Sequence, residues 1–143
     1  MSIEQNKAVV RRFFEASDAD DQAAFDEVLA PDLVVHYPGA PGPLDRATFL
    51  QMGNMMLAAF SERQYTVEDQ VAEGDKVATR LTWRATHSGD FQGLPATGTR
   101  VAVSGITVER IRDGKIVERW VSLDQLGMMQ QLGLIPAPGR GSD

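Results

Sequence analysis

Residues 108–124, VERIRDGKIVERWVSLD, decide the fold of this chain. Asp113-Gly114 in the middle is the strongest short signal for a β-hairpin, because a two-residue hairpin turn needs positive φ values that Asn, Asp and Gly adopt most easily. On either side the residues alternate with a period of two, which is the pattern of a strand with unlike faces. Two strands are therefore predicted, Val101 to Arg112 and Ile116 to Leu123. On the second, strict alternation places Ile116, Glu118, Trp120, Ser122 and Asp124 on one face and Val117, Arg119, Val121 and Leu123 on the other. Arg110 and Glu118 lie almost equally far from the turn, so they are expected to face each other across the hairpin.

Working outward, the same alternation runs from Gln64 to Asp124, cut by turn signals at 73–76 and 93–98, and predicts a meander of four antiparallel strands. Before it lie helices. Ile3, Ala8, Val9, Val10, Phe13 and Phe14 form an amphipathic stripe behind a capping box of Ser2 and Gln5. A polar break at 17–21 leads to a second short helix, Asp21 to Leu29, stopped by Pro31. Leu33 to Tyr37 reads as a short strand, and the Pro/Gly-rich stretch 38–43 as a loop. Asp45 is placed to cap a third helix carrying Phe49, Met52, Met56 and Phe60. A last helix, Gln125 to Leu132, ends at Gly133, and 136–143 reads as a disordered tail. The expectation is one α+β domain over residues 1–135, with helices packed on one face of a strongly curved antiparallel sheet.

Composition narrows the function. The chain has 143 residues, 43% of them hydrophobic, enough to close one core without metal or disulfide staples. Cysteine is absent, which removes thiolate nucleophiles and Cys-ligated zinc. The net charge of −6, with basic residues scattered, argues against nucleic acid. No apolar run reaches the length of a signal-peptide core or membrane span, so a cytoplasmic protein with no membrane partner is expected. His36 and His87 lack the spacing of a local metal site, and neither GxSxG nor GxGxxG occurs.

Three stretches, NKAVVRRFFEA, THSGDFQGLPATGTRV and VERIRDGKIVERWVSLDQLGMMQQLG, together resemble the SnoaL-like polyketide (ester) cyclases of the nuclear-transport-factor-2-like superfamily. That resemblance implies a cone enclosing a pocket, frequent homodimerisation through the sheet, no cofactor or metal, and intramolecular aldol closure of a polyketide ester. It also implies that the general acid/base, an aspartate ending the last long strand, is Asp124, and that a histidine on the short strand after the helical hairpin is His36. The further pocket histidine of the antibiotic-pathway cyclases has no counterpart around Arg110.

If Asp124 faces the pocket, Trp120 does too, and a carboxylate beside an indole in an apolar cavity has a raised pKa suited to moving carbon-bound protons. Asp124 is equally suited to cap the last helix. His36 can donate to a substrate carbonyl or serve as a hydrogen-bonded core residue. His87 ends a strand whose apolar face carries Trp83 and is expected to line the pocket mouth, unless the segment beyond it, 88–98, is a plain surface loop. Met56 and Phe60 either line an adaptable pocket or fill the core. Arg110 with Glu118 is either an enolate clamp or a structural ion pair. The catalytic candidates are thus Asp124 and His36, and the substrate-binding candidates His87, Trp120, Arg110, Trp83, Met56 and Phe60. The expected partner is a small hydrophobic carbonyl substrate. Isomerisation, dehydration, hydrolysis and non-catalytic binding remain the alternatives to ring closure.

Overall fold

The chain was analysed as a computed structural model that describes residues 2–136. Beyond Pro136, the tail expected from the sequence lies outside the described residues.

Helix α1 spans Ile3–Ala19 behind the Ser2/Gln5 capping box, and α2 spans Gln22–Val28, with the Asp21 carboxylate accepting from the Ala24 N–H. Strand β1 then runs Leu29–His36, four residues earlier than expected. Pro31 did not delay it, because the register against its neighbour shifts between Leu29 and Val34, and a proline is tolerated where the ladder is interrupted. After the short β2, Leu44–Asp45, helix α3 spans Arg46–Ala59 with Asp45 as its cap. The meander follows as β3 Phe60–Glu73, β4 Lys76–His87, β5 Arg100–Arg112 and β6 Lys115–Leu123, and α4 spans Gln125–Gln131.

The six strands form one open sheet in the order β2-β1-β6-β5-β4-β3. In one respect it differs from expectation. β1 pairs with β6 in parallel, so the sheet is mixed. A parallel neighbour requires a long crossover, and here α3 and three strands of meander carry the chain round to it.

Strict alternation on β4 points Val77, Thr79, Leu81, Trp83, Ala85 and His87 inward. On β5 the inward set is Val101, Val103, Thr107, Glu109 and Ile111. β6 breaks step once. Arg110 pairs with Glu118 but Ile111 pairs with Ile116, so Val117 is an extra residue, a β-bulge. Ile116 therefore turns inward with Arg119, although alternation had set it beside Glu118 and Trp120. Phe13 and Phe14 of α1, Phe25 and Val28 of α2 and the inward residues of β1 close one core cluster, while Phe60, Trp83, Val101, Val103, Met128 and Leu132 form another toward the opposite end.

Candidate functional site

Between helices and inner sheet face lies a cavity of about 160 Å³. Its walls are mostly apolar: Phe13 and Phe14 from α1, Phe25 from α2, Phe49, Met52 and Met56 from α3, and Leu81, Trp83, Val121 and Leu123 from the sheet. An engineered cavity of similar size holds benzene. One or two rings therefore fit inside, with anything longer reaching the mouth beside Asp20 and Gln22.

Among the polar side chains of the wall, which include Ser17, Asn54, Arg63 and Gln125, the most buried charge is that of Arg119. Arg119 is inward on β6, and its side chain is only 6% exposed. Directly across the ladder stands Glu109, fully buried, whose Oε2 accepts from Arg119 Nε at 2.7 Å. The other carboxylate oxygen accepts from the Thr107 hydroxyl at 3.0 Å. Thr107 and Arg119 both form part of the cavity wall. The guanidinium lies over the Phe13 ring at 4.4 Å and near the Phe49 ring at 5.4 Å, so aromatic faces replace part of the water it has lost.

Burial raises the Glu109 carboxyl from its ordinary value, and Arg119 and Thr107 pull it back in part. Tyr65 and Tyr37, also in the wall, are raised by burial too, Tyr65 to about 12, with Arg119 opposing both shifts. Both phenols are neutral donors at ordinary pH. Arg119 with two phenols nearby thus offers positive charge and O–H donors to an oxygen placed in an apolar space.

The residues expected from the sequence divide between three places. Trp83 and Met56 line the cavity. Phe60 and His87 lie behind it: Phe60 packs edge-on against Trp83 at 5.2 Å, and His87 is fully buried instead of standing at the mouth. Its Nδ1 accepts from the Thr97 N–H at 3.2 Å, which fixes the chain returning to β5. Phe60 and Phe91 close over the histidine ring.

His36, Arg110 and Trp120 do come together, but on the outer face of the sheet. His36 Nε2 lies 2.7 Å from Glu118 Oε2, Arg110 donates to Glu118 Oε1 at 3.4 Å, and the His36 ring stacks on Trp120 at 5.5 Å and 12°. The expected Arg110–Glu118 cross-strand pair is present. Its placement inside the pocket is corrected, because the cavity face of β6 is the odd-numbered set Arg119, Val121 and Leu123. Asp124 follows the outer set. Its carboxylate is exposed, accepts from the Gly127 N–H at 2.8 Å as the cap of α4, and lies in a shallow outer groove with Arg80, Ser104 and Ser122. The carboxylate beside an indole in a dry pocket is not formed at this position.

Arg119, Glu109, Thr107, Tyr37 and Tyr65 were not singled out from the sequence. One signal was available: the turn that sets Arg110 opposite Glu118 also sets Glu109 opposite Arg119, a second acid–base pair on the other face.

The model of the family described as SnoaL-like polyketide cyclase matches residues 7–132. Aklanonic acid methyl ester cyclase DnrD of Streptomyces peucetius is 36% identical over 131 residues, covering 87% of this chain and 88% of that protein. The cyclase of the same name, DauD, from Streptomyces sp. (strain C5) is also 36% identical, over 87% of this chain and 80% of its own. Among solved structures, IdmH of Streptomyces antibioticus, a proposed polyketide cyclase, superposes with a TM-score of 0.83 at 37% identity, covering 90% of this chain and 99% of that one. AclR of Streptomyces galilaeus, a proposed hydroxylase, reaches 0.88 at 29% identity over 97% of this chain and 87% of its own.

Proposed function

Because the chain belongs to the SnoaL-like polyketide cyclase family, we propose that it closes a ring in a hydrophobic carbonyl compound held in the cavity beneath α1 and α3. Ring closure of this kind takes a proton from the carbon next to a carbonyl, and the enolate so formed attacks a second carbonyl. The difficulty is the negative charge that develops on oxygen. The single observation that carries the reading is Arg119, a buried cation in a mostly apolar wall that also holds the more exposed Arg63, where an oriented donor to a developing oxyanion is worth about 3–4 kcal/mol of barrier. Tyr37 and Tyr65, held neutral by burial, supply further donors without adding charge.

The motif resemblance assigns the proton to Asp124. That assignment stays open to experiment, but an exposed carboxylate already capping a helix has neither the dry surroundings nor the reach that the chemistry needs. A second reading, binding without turnover, draws support from the cavity's modest 160 Å³, part of whose wall is the flexible side chains of Met52 and Met56. The expected homodimer belongs to the same proposal: Ile106 is 52% exposed on the outer sheet face, which a two-fold copy would cover, and light scattering at several concentrations tests it.

Aklanonic acid methyl ester, the compound named for the two relatives, is the first substrate to try. Ring closure by aldol addition yields a product of unchanged mass and altered retention, read by liquid chromatography with mass detection. Arg119→Met should cost at least about 100-fold in rate, the low end of an oxyanion donor's effect. Binding of the ester by the wild-type protein without any isomeric product would favour the binder.

A further inference from the structure

Every carboxylate that could take a proton in the cavity must either line it or reach it through another group. Asp20 is the one acid in the wall, and it stands at the mouth, ending α1 and accepting from Gln22 Nε2 at 3.0 Å. The depth of the cavity holds no carboxylate of its own among the described residues. Glu109 lies one layer behind, fully buried, and among the described residues it hydrogen-bonds to two groups of the wall: Arg119 Nε at 2.7 Å and the Thr107 hydroxyl at 3.0 Å.

We infer that Glu109 is the terminal proton acceptor of this cavity, reached through the hydroxyl of Thr107. The inference rests on the enolate reading above and names the path its proton takes. In the forward step the substrate's α C–H bond breaks and its electron pair passes onto the carbonyl oxygen. Thr107 Oγ1 takes the proton while releasing its own to Glu109 Oε1, so one C–H and one O–H bond break and two O–H bonds form. The same path run backward protonates the alkoxide that ring closure leaves. No oxidant, reductant or further reactant is involved.

Charge accounting favours this route. Before the step the negative charge sits on Glu109, on one side of Arg119; afterwards it sits on the enolate oxygen, beside the same wall. The buried cluster stays neutral throughout, whereas an acid supplied from solvent would add or remove a charge in a dry site at a cost of several kcal/mol.

Thr107 is the catalytic group here, and Glu109 acts through it. The groups that face Glu109 are Arg119 from β6 and Thr107 from its own strand, and beyond Arg119 stand Tyr37 and Tyr65, both neutral below pH 10. From β4 its ladder partner is Val77, which does not titrate.

The probe is 2-indanone, a neutral bicyclic ketone with acidic α C–H bonds. Its exchange in D₂O is followed by proton NMR, and its binding by quenching of tryptophan fluorescence, to which Trp83 in the cavity wall contributes. The wild-type protein should bind it and speed exchange above the buffer rate. Thr107→Val, which keeps the shape and removes the hydroxyl, should lower that rate at least about 100-fold with Kd within about threefold, and Thr107→Ser should restore it to within about tenfold. In the wild type the rate should fall on the acid side of a midpoint above the ordinary carboxylate range, and Glu109→Gln should abolish both rate and limb. If Thr107→Val does not fold, that limb decides, and its absence down to pD 4 overturns the relay. Wild-type exchange that survives Thr107→Val within about threefold overturns the relay and leaves the enolate reading intact. A wild-type protein that fails to bind the ketone, or binds it without exchange, removes both.

Discussion

The hairpin of β5 and β6 carries an acid–base pair on each of its faces, and the two could hardly be more unlike in their surroundings. Inside, Glu109 and Arg119 meet at 2.7 Å with side chains 0% and 6% exposed. Outside, Glu118 meets His36 at 2.7 Å and Arg110 at 3.4 Å, with side chains 26% to 37% exposed. Ladder position is nearly the same for both. What differs is water: the outer charges are screened and replaceable, while each inner charge is intolerable without its partner. The family resemblance drew attention to the outer set, and the cavity belongs to the inner one.

Breaking the inner pair should produce the largest effect. Arg119→Met leaves a buried carboxylate uncompensated and should cost about 3–5 kcal/mol in chemical denaturation. Replacing both partners, Glu109→Leu with Arg119→Met, should recover most of that loss, since an apolar pair of similar volume needs no compensation. A single variant as stable as the wild type would mean that Glu109 is already protonated in the folded protein.

The next test asks how dry the inner face is. The chain has two tyrosines, Tyr37 and Tyr65, and both are raised by burial, Tyr65 to about 12. Absorbance at 295 nm should therefore show less phenolate at pH 10 than free tyrosine, which is half ionised there. A folded pKa above the unfolded one means that Tyr65 stabilises fully below pH 10 and that this contribution drains away as pH rises toward about 12. Tyr65→Phe should remove that alkaline loss. A midpoint near 10 for both phenols would show the cavity to be open to water.

Asp124 separates capping from chemistry. Asp124→Ala should cost about 1 kcal/mol, the usual worth of a helix N-cap, and Asp124→Asn close to nothing, as asparagine caps about as well. Under the inner-face reading, Asp124→Asn keeps its turnover within about twofold. A 100-fold loss in a fully folded Asp124→Asn protein would move the chemistry back to the outer face.

Smallest of all should be the outer pair. Glu118→Gln removes a half-exposed ion pair and should cost no more than about 1 kcal/mol, less at high salt. A loss comparable to that of Arg119→Met would erase the distinction between the faces.

Much of the architecture was legible before any coordinates. The Asp113-Gly114 turn placed the hairpin and its Arg110–Glu118 pairing, and the capping residues Ser2 and Asp45 marked the first and third helices. The site was harder. Alternation correctly grouped Glu118, Trp120, Ser122 and Asp124, but it carries no information about which group looks inward. The family resemblance, through Asp124, drew the inward reading of this group, and Trp120 followed it by alternation. His87 misled in the opposite direction, because a polar ring beside a Gly/Pro-rich segment reads as surface until Phe60 and Phe91 are seen to enclose it.

The residue sequence by itself determined the helices, the long strands, their order and the Arg110–Glu118 pairing of the hairpin, because turns, caps and periodicity act over a few neighbours and are written in the residues that form them. Only the tertiary structure decided which face of β6 meets the helices. That choice turns on the bulge at Val117, on Glu109 standing ready to neutralise Arg119, and on Phe13 and Phe49 arriving from distant helices to cover the guanidinium. A buried charge is stable only when all its partners are in place, and those partners come from segments brought together by folding.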